Sequence, residues 1–313
     1  MEEYELYRRM RLRTMRRTFS TQGWALLIYN VLMTVIVMAV VFMDALNAEL
    51  FGQSRDHSGW GYLLTIAVGG VILLLWKKPR FCFGTLWQRG KPMKLGSFFA
   101  LLTLCLGAQF VSQMTLILLE VIFNSFGLSV MDYLLTLEMG DTFSMFLYMS
   151  LGAPLSEEIL FRGLVMRSME PYGKKFAIFA SALLFGLFHG NLIQIPFAFA
   201  VGLVLGYVAM EYNIAWAVVL HMFNNLIFAD SLPRLMGVFA PRWENLLSWA
   251  IILLTAIASA VILITRRRAI GDYLRREQTD KLCLKAFFGA AGIIVLMIVL
   301  ILSTVGTLFM MAA

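Results

Sequence analysis

A small set of polar side chains interrupts long apolar stretches of the chain, and these side chains are the ones whose types could do chemistry. The stretches that hold them are APLSEEILFRGL, FGLFHG and VVLHMFNN. The polar residues concerned are Glu157, Glu158, Arg162, His189, His221 and Asn225. An ionisable group inside an apolar helix is costly, so each one is by default a candidate for function.

The spacing predicts which of these residues share a face of a helix. Residues four apart lie on one face, whereas direct neighbours point about 100° apart. Glu158 and Arg162 can therefore form a structural ion pair, and His221 shares a face with Asn225. The neighbours Glu157 and Glu158 are predicted not to aim at one point, which leaves Glu157 as the carboxylate that faces the bundle.

These residue types predict hydrolysis of a peptide bond. A carboxylate and an imidazole that flank a water can take its proton and turn it into a nucleophile. A second imidazole and an amide can donate hydrogen bonds to the oxyanion that forms. Glu157, His189 and His221 could instead hold a zinc ion, although the chain has no H-E-x-x-H motif. Asn224, beside Asn225, is expected to serve packing or a spare hydrogen bond.

The composition predicts an integral membrane protein. Of the 313 residues, 60% are hydrophobic and 14% are charged, against about 45–50% and about 25% in soluble domains. Disorder is excluded because it needs low hydrophobicity and high charge. With only three cysteines the chain is not a disulfide scaffold. The net charge of +7 sits in clusters between apolar runs, which favours contact with lipid headgroups over nucleic acid.

The apolar runs predict an all-α, polytopic transmembrane bundle in a single integral membrane domain, 1–313. About 20 apolar residues are needed to cross a bilayer, and on that basis there are eight to nine spans. The nine predicted spans are 22–44, 60–76, 95–125, 143–166, 175–190, 193–210, 213–230, 244–265 and 285–311. The pairs Gly186/Gly190 and Gly202/Gly206 are G-x-x-x-G motifs that predict close helix packing within this bundle.

The distribution of basic residues predicts the orientation of the bundle. Lysines and arginines cluster in 8–17, 77–94, 167–175 and 266–285. With nine spans and the N-terminus inside, all four clusters fall on the cytoplasmic side and few basic residues remain in the opposite loops. The positive-inside rule therefore favours an N-in, C-out arrangement.

Three motifs in order resemble those of a known family. They are E-E-x-x-x-R from Glu157 to Arg162, F-x-x-x-H ending at His189, and H-x-x-x-N from His221 to Asn225. Their order, and a spacing of about 30 residues between them, are similar to the CPBP family, which comprises type II CaaX endopeptidases and bacteriocin-processing enzymes and is also called the Abi family. The resemblance covers about 140–230, and these residues are predicted to form a catalytic core of four transmembrane helices.

The resemblance implies an intramembrane endopeptidase of the glutamate type or the metallo type, in the plasma membrane of a bacterium, with its site open to the cytoplasm. Carried over, Glu157 with His189 activates water, and His221 with Asn225 forms the oxyanion hole. Glu158 and Arg162 organise the site. No metal is expected as the first choice, and zinc is the alternative. The expected substrate is a peptide or a membrane protein, which in this family can carry a lipid.

Two other functions remain open from the sequence. A proton-coupled transporter could use Glu157 and the histidines as a relay, but the chain has no inverted repeat and no pair of broken helices. A non-catalytic membrane regulator or scaffold could use the same fold to bind another membrane protein. Intact motifs argue only in part against the second possibility.

Overall fold

The regular structure of the chain is helical. The computed structural model describes residues 2–51, 59–77, 84, 87, 90–131, 142–231, 241–277 and 279–312. Within these ranges every assigned helix or strand is a helix, which confirms the all-α prediction. The α-helices are α1 (Glu2–Phe51), α2 (Trp60–Lys77), α3 (Leu95–Gly107), α4 (Gln109–Asn124), α5 (Phe143–Leu147), α6 (Ala153–Glu157), α7 (Arg167–Met169), α8 (Lys174–Phe188), α9 (Gln194–Glu211), α10 (Ile214–Asn225), α11 (Pro241–Arg276), α12 (Leu282–Phe288) and α13 (Ala291–Ala312).

Five helical stretches are long and apolar enough to cross a membrane. They are Glu2–Met43, Leu95–Asn124, Gln194–Glu211, Trp243–Arg276 and Ala291–Leu308. Two shorter apolar stretches, Trp60–Leu75 and Ile214–Phe228, coincide with the second and seventh predicted spans. The segments predicted as spans four and five are also helical. The number of nine spans and the N-in, C-out orientation remain predictions.

The helix that carries the first motif alternates between α and π geometry. We call this continuous helical stretch, 143–169, the motif helix; its π-helical segments are Tyr148–Gly152 and Glu158–Met166. A further π-helical segment, Leu226–Ser231, follows directly after Asn225 at the end of α10. Short π-helical insertions are rare in proteins and are frequent at functional sites. Here they lie next to the first and third motifs.

The motif helix ends between the predicted spans 143–166 and 175–190. A 3₁₀ turn, Glu170–Tyr172, leads into Gly173, whose φ of +132° is reached at little cost only by glycine. The chain then reverses into α8. The second π-helical segment is almost entirely buried, from Glu158 to Met166. The first motif therefore lies in the interior of the bundle.

Small residues let α8 and α9 approach each other closely. A Cβ atom added to Gly202 would lie 3.1 Å from the Cα atom of Ala182, and one added to Gly206 would lie 3.1 Å from a methyl group of Ile178. Both distances are tighter than ordinary contacts, which confirms the packing role predicted for this G-x-x-x-G pair. Close contact of α8 with α9 brings the end of the second motif beside the helix that precedes the third.

A buried carboxylate at the C-terminal end of α9 joins several elements. Glu211 accepts hydrogen bonds from Lys91 Nζ at 2.6 Å, from Lys174 Nζ at 3.3 Å and from the Tyr273 hydroxyl at 3.2 Å. The hydrogen bond and the charge of Glu211 together raise the pKa of Lys91 above its ordinary value. The starts of α3 and α8 and the end of α11 are thereby held near the end of α9.

The helices α1 and α13 meet through glycines. Gly23 in α1 and Gly292 in α13 face each other so closely that a Cβ atom on Gly23 would overlap the carbonyl carbon of Gly292. The backbone N–H of Gly292 also donates to the Ser20 hydroxyl at 2.9 Å. This contact holds the N-terminal helix against the C-terminal one.

We predict that Gly292→Ala destabilises the protein by about 1–3 kcal/mol, because the added methyl group must push α1 and α13 apart. Gly306→Ala is the matched control, since Gly306 lies in the same helix and has no atom within 4 Å of its hypothetical Cβ atom. Thermal unfolding of both variants in the same detergent tests this. An equal melting temperature for the two variants would contradict the tight α1–α13 contact.

Candidate active site

Both glutamates of the first motif flank one imidazole ring. Glu158 Oε1 accepts a hydrogen bond from His221 Nδ1 at 2.9 Å, and Glu157 Oε2 lies 3.7 Å from His221 Nε2. The two carboxylates therefore reach different atoms, as their divergence on the helix predicts, but those atoms belong to one side chain, which the spacing did not predict. The two ring nitrogens of histidine lie on different sides of the ring, so carboxylates that diverge from one helix can reach one nitrogen each.

The predicted ion pair between Glu158 and Arg162 is confirmed. Arg162 NH1 lies 3.1 Å from Glu158 Oε1, and both side chains have no exposed surface. Arg162 NH2 also donates to the carbonyl oxygen of Gly202 at 3.2 Å, and its guanidinium carbon lies 4.3 Å from the centre of the Phe185 ring. A buried charge needs such partners, because its desolvation is otherwise unfavourable.

Phe185 contacts both histidines of the site. Its ring meets His189 edge-on at 4.9 Å and His221 edge-on at 5.8 Å between centroids. On a further side it contacts Phe161 at 5.3 Å. Phe185 is buried and also lies against Arg162. Its ring therefore packs between the two imidazoles and the ion pair and helps to set their relative positions.

His189 is held by its own helix. It follows the last residue of α8, and its Nδ1 atom donates to the carbonyl oxygen of Phe185 at 2.8 Å. Gly190 then turns the chain with a φ of +60°. The Nδ1 atoms of His189 and His221 are thus both bound to oxygen acceptors, which assigns a proton to each Nδ1 and leaves Nε2 as the available nitrogen.

Asn225 has fixed partners at the end of α10. Its Nδ2 atom donates to the carbonyl oxygen of Met149 at 3.0 Å, within the first π-helical segment of the motif helix. Its Oδ1 atom accepts from Asn224 Nδ2 at 3.3 Å. The third motif therefore contacts the motif helix through two hydrogen bonds, one from His221 and one from Asn225.

Exposure distinguishes the two glutamates. The side chain of Glu157 is 29% exposed, whereas that of Glu158 is completely buried and that of His221 is 5% exposed. Tyr29 of α1 and Tyr148 of the motif helix interact electrostatically with the carboxylate of Glu157. Glu157 is thus the carboxylate of this cluster that an incoming molecule can reach.

Some residues of the site were not identified from the sequence as parts of it. The carbonyl groups of Met149 and Gly202 are backbone acceptors, which no side-chain pattern reveals. Tyr29 and Tyr148 come from separate helices and share no motif with Glu157. The F-x-x-x-H spacing did mark the helix position of Phe185, but not its contact with both imidazoles and the guanidinium.

The predicted metal ligands do not form a metal site as they are arranged. Among the residues that the structure describes, there is no group of three or more histidine, cysteine, aspartate or glutamate side chains placed to hold one ion. Glu157 approaches His221, but His189, the third predicted ligand, is not grouped with them. In the described geometry, Glu157, His189 and His221 are therefore not gathered around one point.

Comparison with known proteins identifies the segment that carries the site. No curated protein and no solved structure matches the chain significantly. Residues 139–227 match the family model described as Type II CAAX prenyl endopeptidase Rce1-like. This range contains all three motifs and the contacts among them. By the description of that family model, this segment of the chain is similar to a family of endopeptidases.

Proposed function

We propose that the protein is an intramembrane endopeptidase in which water activated by Glu157 attacks a peptide bond. The observation that carries this proposal is the contact of the two glutamates with His221, one buried and hydrogen-bonded to the ring, the other partly exposed and 3.7 Å from it. A base and an oxyanion donor must flank the same carbonyl carbon, so a separation of this size suits the reaction.

Glu157 is the general base in this proposal, and His189 is its partner on the water. The water oxygen attacks the carbonyl carbon while a water proton passes to the Glu157 carboxylate, and the carbonyl electron pair moves to its oxygen. The carbon–nitrogen bond then breaks as that proton passes to the departing amine. The neutral ring of His189, with its proton on Nδ1, keeps an Nε2 lone pair that can accept a hydrogen bond from the water.

His221 and Asn225 are the proposed oxyanion hole. In its doubly protonated form His221 donates from Nδ1 to Glu158 and from Nε2 toward the substrate oxygen. The carboxylates of Glu157 and Glu158 balance that charge together with the charge of Arg162. Asn225 adds an amide N–H. Donors fixed in place before the reaction stabilise the developing negative charge at little cost in reorganisation.

Glu158 and Arg162 are proposed to position these groups. Glu158 holds the His221 ring, and Arg162 holds Glu158 while it also binds the Gly202 carbonyl group. Neither side chain has exposed surface, so neither is assigned a contact with substrate.

The proposed substrate is a peptide or a membrane protein, including lipidated C-termini of the CaaX type and peptide precursors. The description of the matching family contains the words CAAX prenyl endopeptidase. The apolar helices around the site suit a hydrophobic substrate. The proposed location is a bacterial plasma membrane with the site open to the cytoplasm, as the family resemblance implies. The basic clusters support the N-in orientation of this proposal.

We predict that Glu157→Gln lowers cleavage of a reporter peptide by about a hundredfold or more, because an amide cannot take the proton of water. The melting temperature should stay near that of the wild type, since Glu157 is partly exposed. Glu170→Gln is the matched control: Glu170 is similarly exposed and pairs with Arg167 at the end of the motif helix. Cleavage by purified protein in detergent is the measurement.

Assays of Glu157→Gln and of the wild-type protein distinguish the competing functions. Full activity of Glu157→Gln in cells would favour a non-catalytic regulator. Uptake of a solute into proteoliposomes by a wild-type protein that cleaves nothing would favour a transporter. Either result would refute the proposed mechanism.

We predict that Arg162→Met alone destabilises the protein by about 3–5 kcal/mol, because it leaves the Glu158 charge buried without its partner. The double variant Glu158→Gln, Arg162→Met removes both charges and should recover most of that stability. Its activity should remain low, since His221 loses the carboxylate that holds it. Unfolding and cleavage measured on both variants test this, and recovery of activity in the double variant would contradict the role of Glu158.

Cleavage is proposed to proceed without a metal, with zinc as the alternative. We predict that activity persists after treatment with a chelator in samples whose metal content is shown by elemental analysis to be below one atom per ten chains. Loss of activity that zinc alone restores would replace the metal-free mechanism by a zinc mechanism.

A further inference from the structure

Asn224 is buried beside the proposed oxyanion hole and has few partners. Only 3% of its surface is exposed. Its Nδ2 atom donates to Asn225 Oδ1 at 3.3 Å, while its own Oδ1 atom is buried without a hydrogen-bond partner in the described part of the chain. A buried amide with one long hydrogen bond contributes little to the free energy of unfolding. An apolar side chain of the same size would avoid the cost of desolvating the amide.

The contacts of Asn225 determine which way its amide group points. Its NH₂ group faces the carbonyl oxygen of Met149, and its oxygen faces the NH₂ group of Asn224. Rotating the amide by half a turn would bring two acceptors together at Met149 and two donors together at Asn224. Both contacts therefore favour the same orientation of Asn225.

This orientation leaves one hydrogen of Asn225 for another acceptor. An asparagine NH₂ group carries two hydrogens, and the Met149 carbonyl oxygen takes one of them. The second hydrogen is the one that an oxyanion would receive. Without Asn224, the Met149 contact alone would hold Asn225, and the side chain could swing about that single contact.

We propose that Asn224 is a positioning residue that orients the amide of Asn225 toward the oxyanion of the substrate. This inference rests on the proposed endopeptidase function. It specifies one more position within the third motif, which becomes H-x-x-N-N, and gives the neighbour of Asn225 a role other than packing.

The test is Asn224→Leu, which keeps the size of the side chain and removes both polar atoms. The rate constant kcat should fall about tenfold, less than the hundredfold or more that follows removal of an oxyanion donor itself, while KM and the melting temperature stay near wild type. Gln22→Met is the matched control. Gln22 is also a buried amide with an unpaired carbonyl oxygen, and it lies on α1. It should leave kcat unchanged.

A double variant shows whether Asn224 acts through Asn225. If it does, adding Asn224→Leu to Asn225→Ala causes no further fall in kcat, because there is no amide left to orient. Effects that multiply, or a kcat of Asn224→Leu equal to that of the wild type, would overturn the inference and leave the proposed function intact. A wild-type protein that cleaves no peptide would overturn both.

Asn224→Ala is a second variant that controls for steric clashes of leucine in the buried site. It should also lower kcat about tenfold at a wild-type melting temperature, as expected when positioning of an oxyanion donor is relaxed. If both Asn224 variants lose activity only as far as they lose folded protein, the residue is structural and the inference is refuted.

Discussion

Burial of the Arg162 guanidinium is the constraint on which the rest of the site depends. A charge without exposed surface inside an apolar bundle must be neutralised and hydrogen-bonded. Its partners come from three helices: the Glu158 carboxylate one turn away, the Gly202 carbonyl group of α9, and the ring of Phe185 on α8. The groups proposed to carry the reaction are then arranged around this buried charge and its partners.

From this centre a series of contacts leads outward to the partly exposed Glu157. Glu158 binds His221, His221 faces Glu157, and Glu157 is the first side chain in the series with substantial exposure. Phe185 contacts His189 as well as His221. The fully buried groups therefore lie at one end of this series, and Glu157, the proposed general base, lies at the accessible end.

The sequence singled out side chains that the structure brings into contact, but it said less about their mutual geometry. Spacing of four residues correctly paired Glu158 with Arg162, because residues four apart stay near one face even in the π-helical segment Glu158–Met166. Spacing did not reveal that Glu157 and Glu158 reach one ring, since their separation on the helix says nothing about the width of the ring between them. The partners of Arg162 and Asn225 on the backbone, at Gly202 and Met149, depend on tertiary contacts that no side-chain pattern encodes. The all-helical class followed from composition, whereas the number of spans depends on short segments such as α10, which length alone does not decide.

Contacts at two levels constrain the length of the motif helix between Met149, which binds Asn225, and Glu158, which binds His221. Each residue added to or removed from an α-helix rotates everything beyond it by about 100°. A single deletion within the α-helical part, Ala153–Glu157, would therefore turn the glutamates away from His221 or carry Met149 away from Asn225. The connections between the three motifs face no such restriction, because a loop absorbs added residues without rotating its neighbours. Length variation among related chains should thus be found between the motif-bearing helices and not within the first of them.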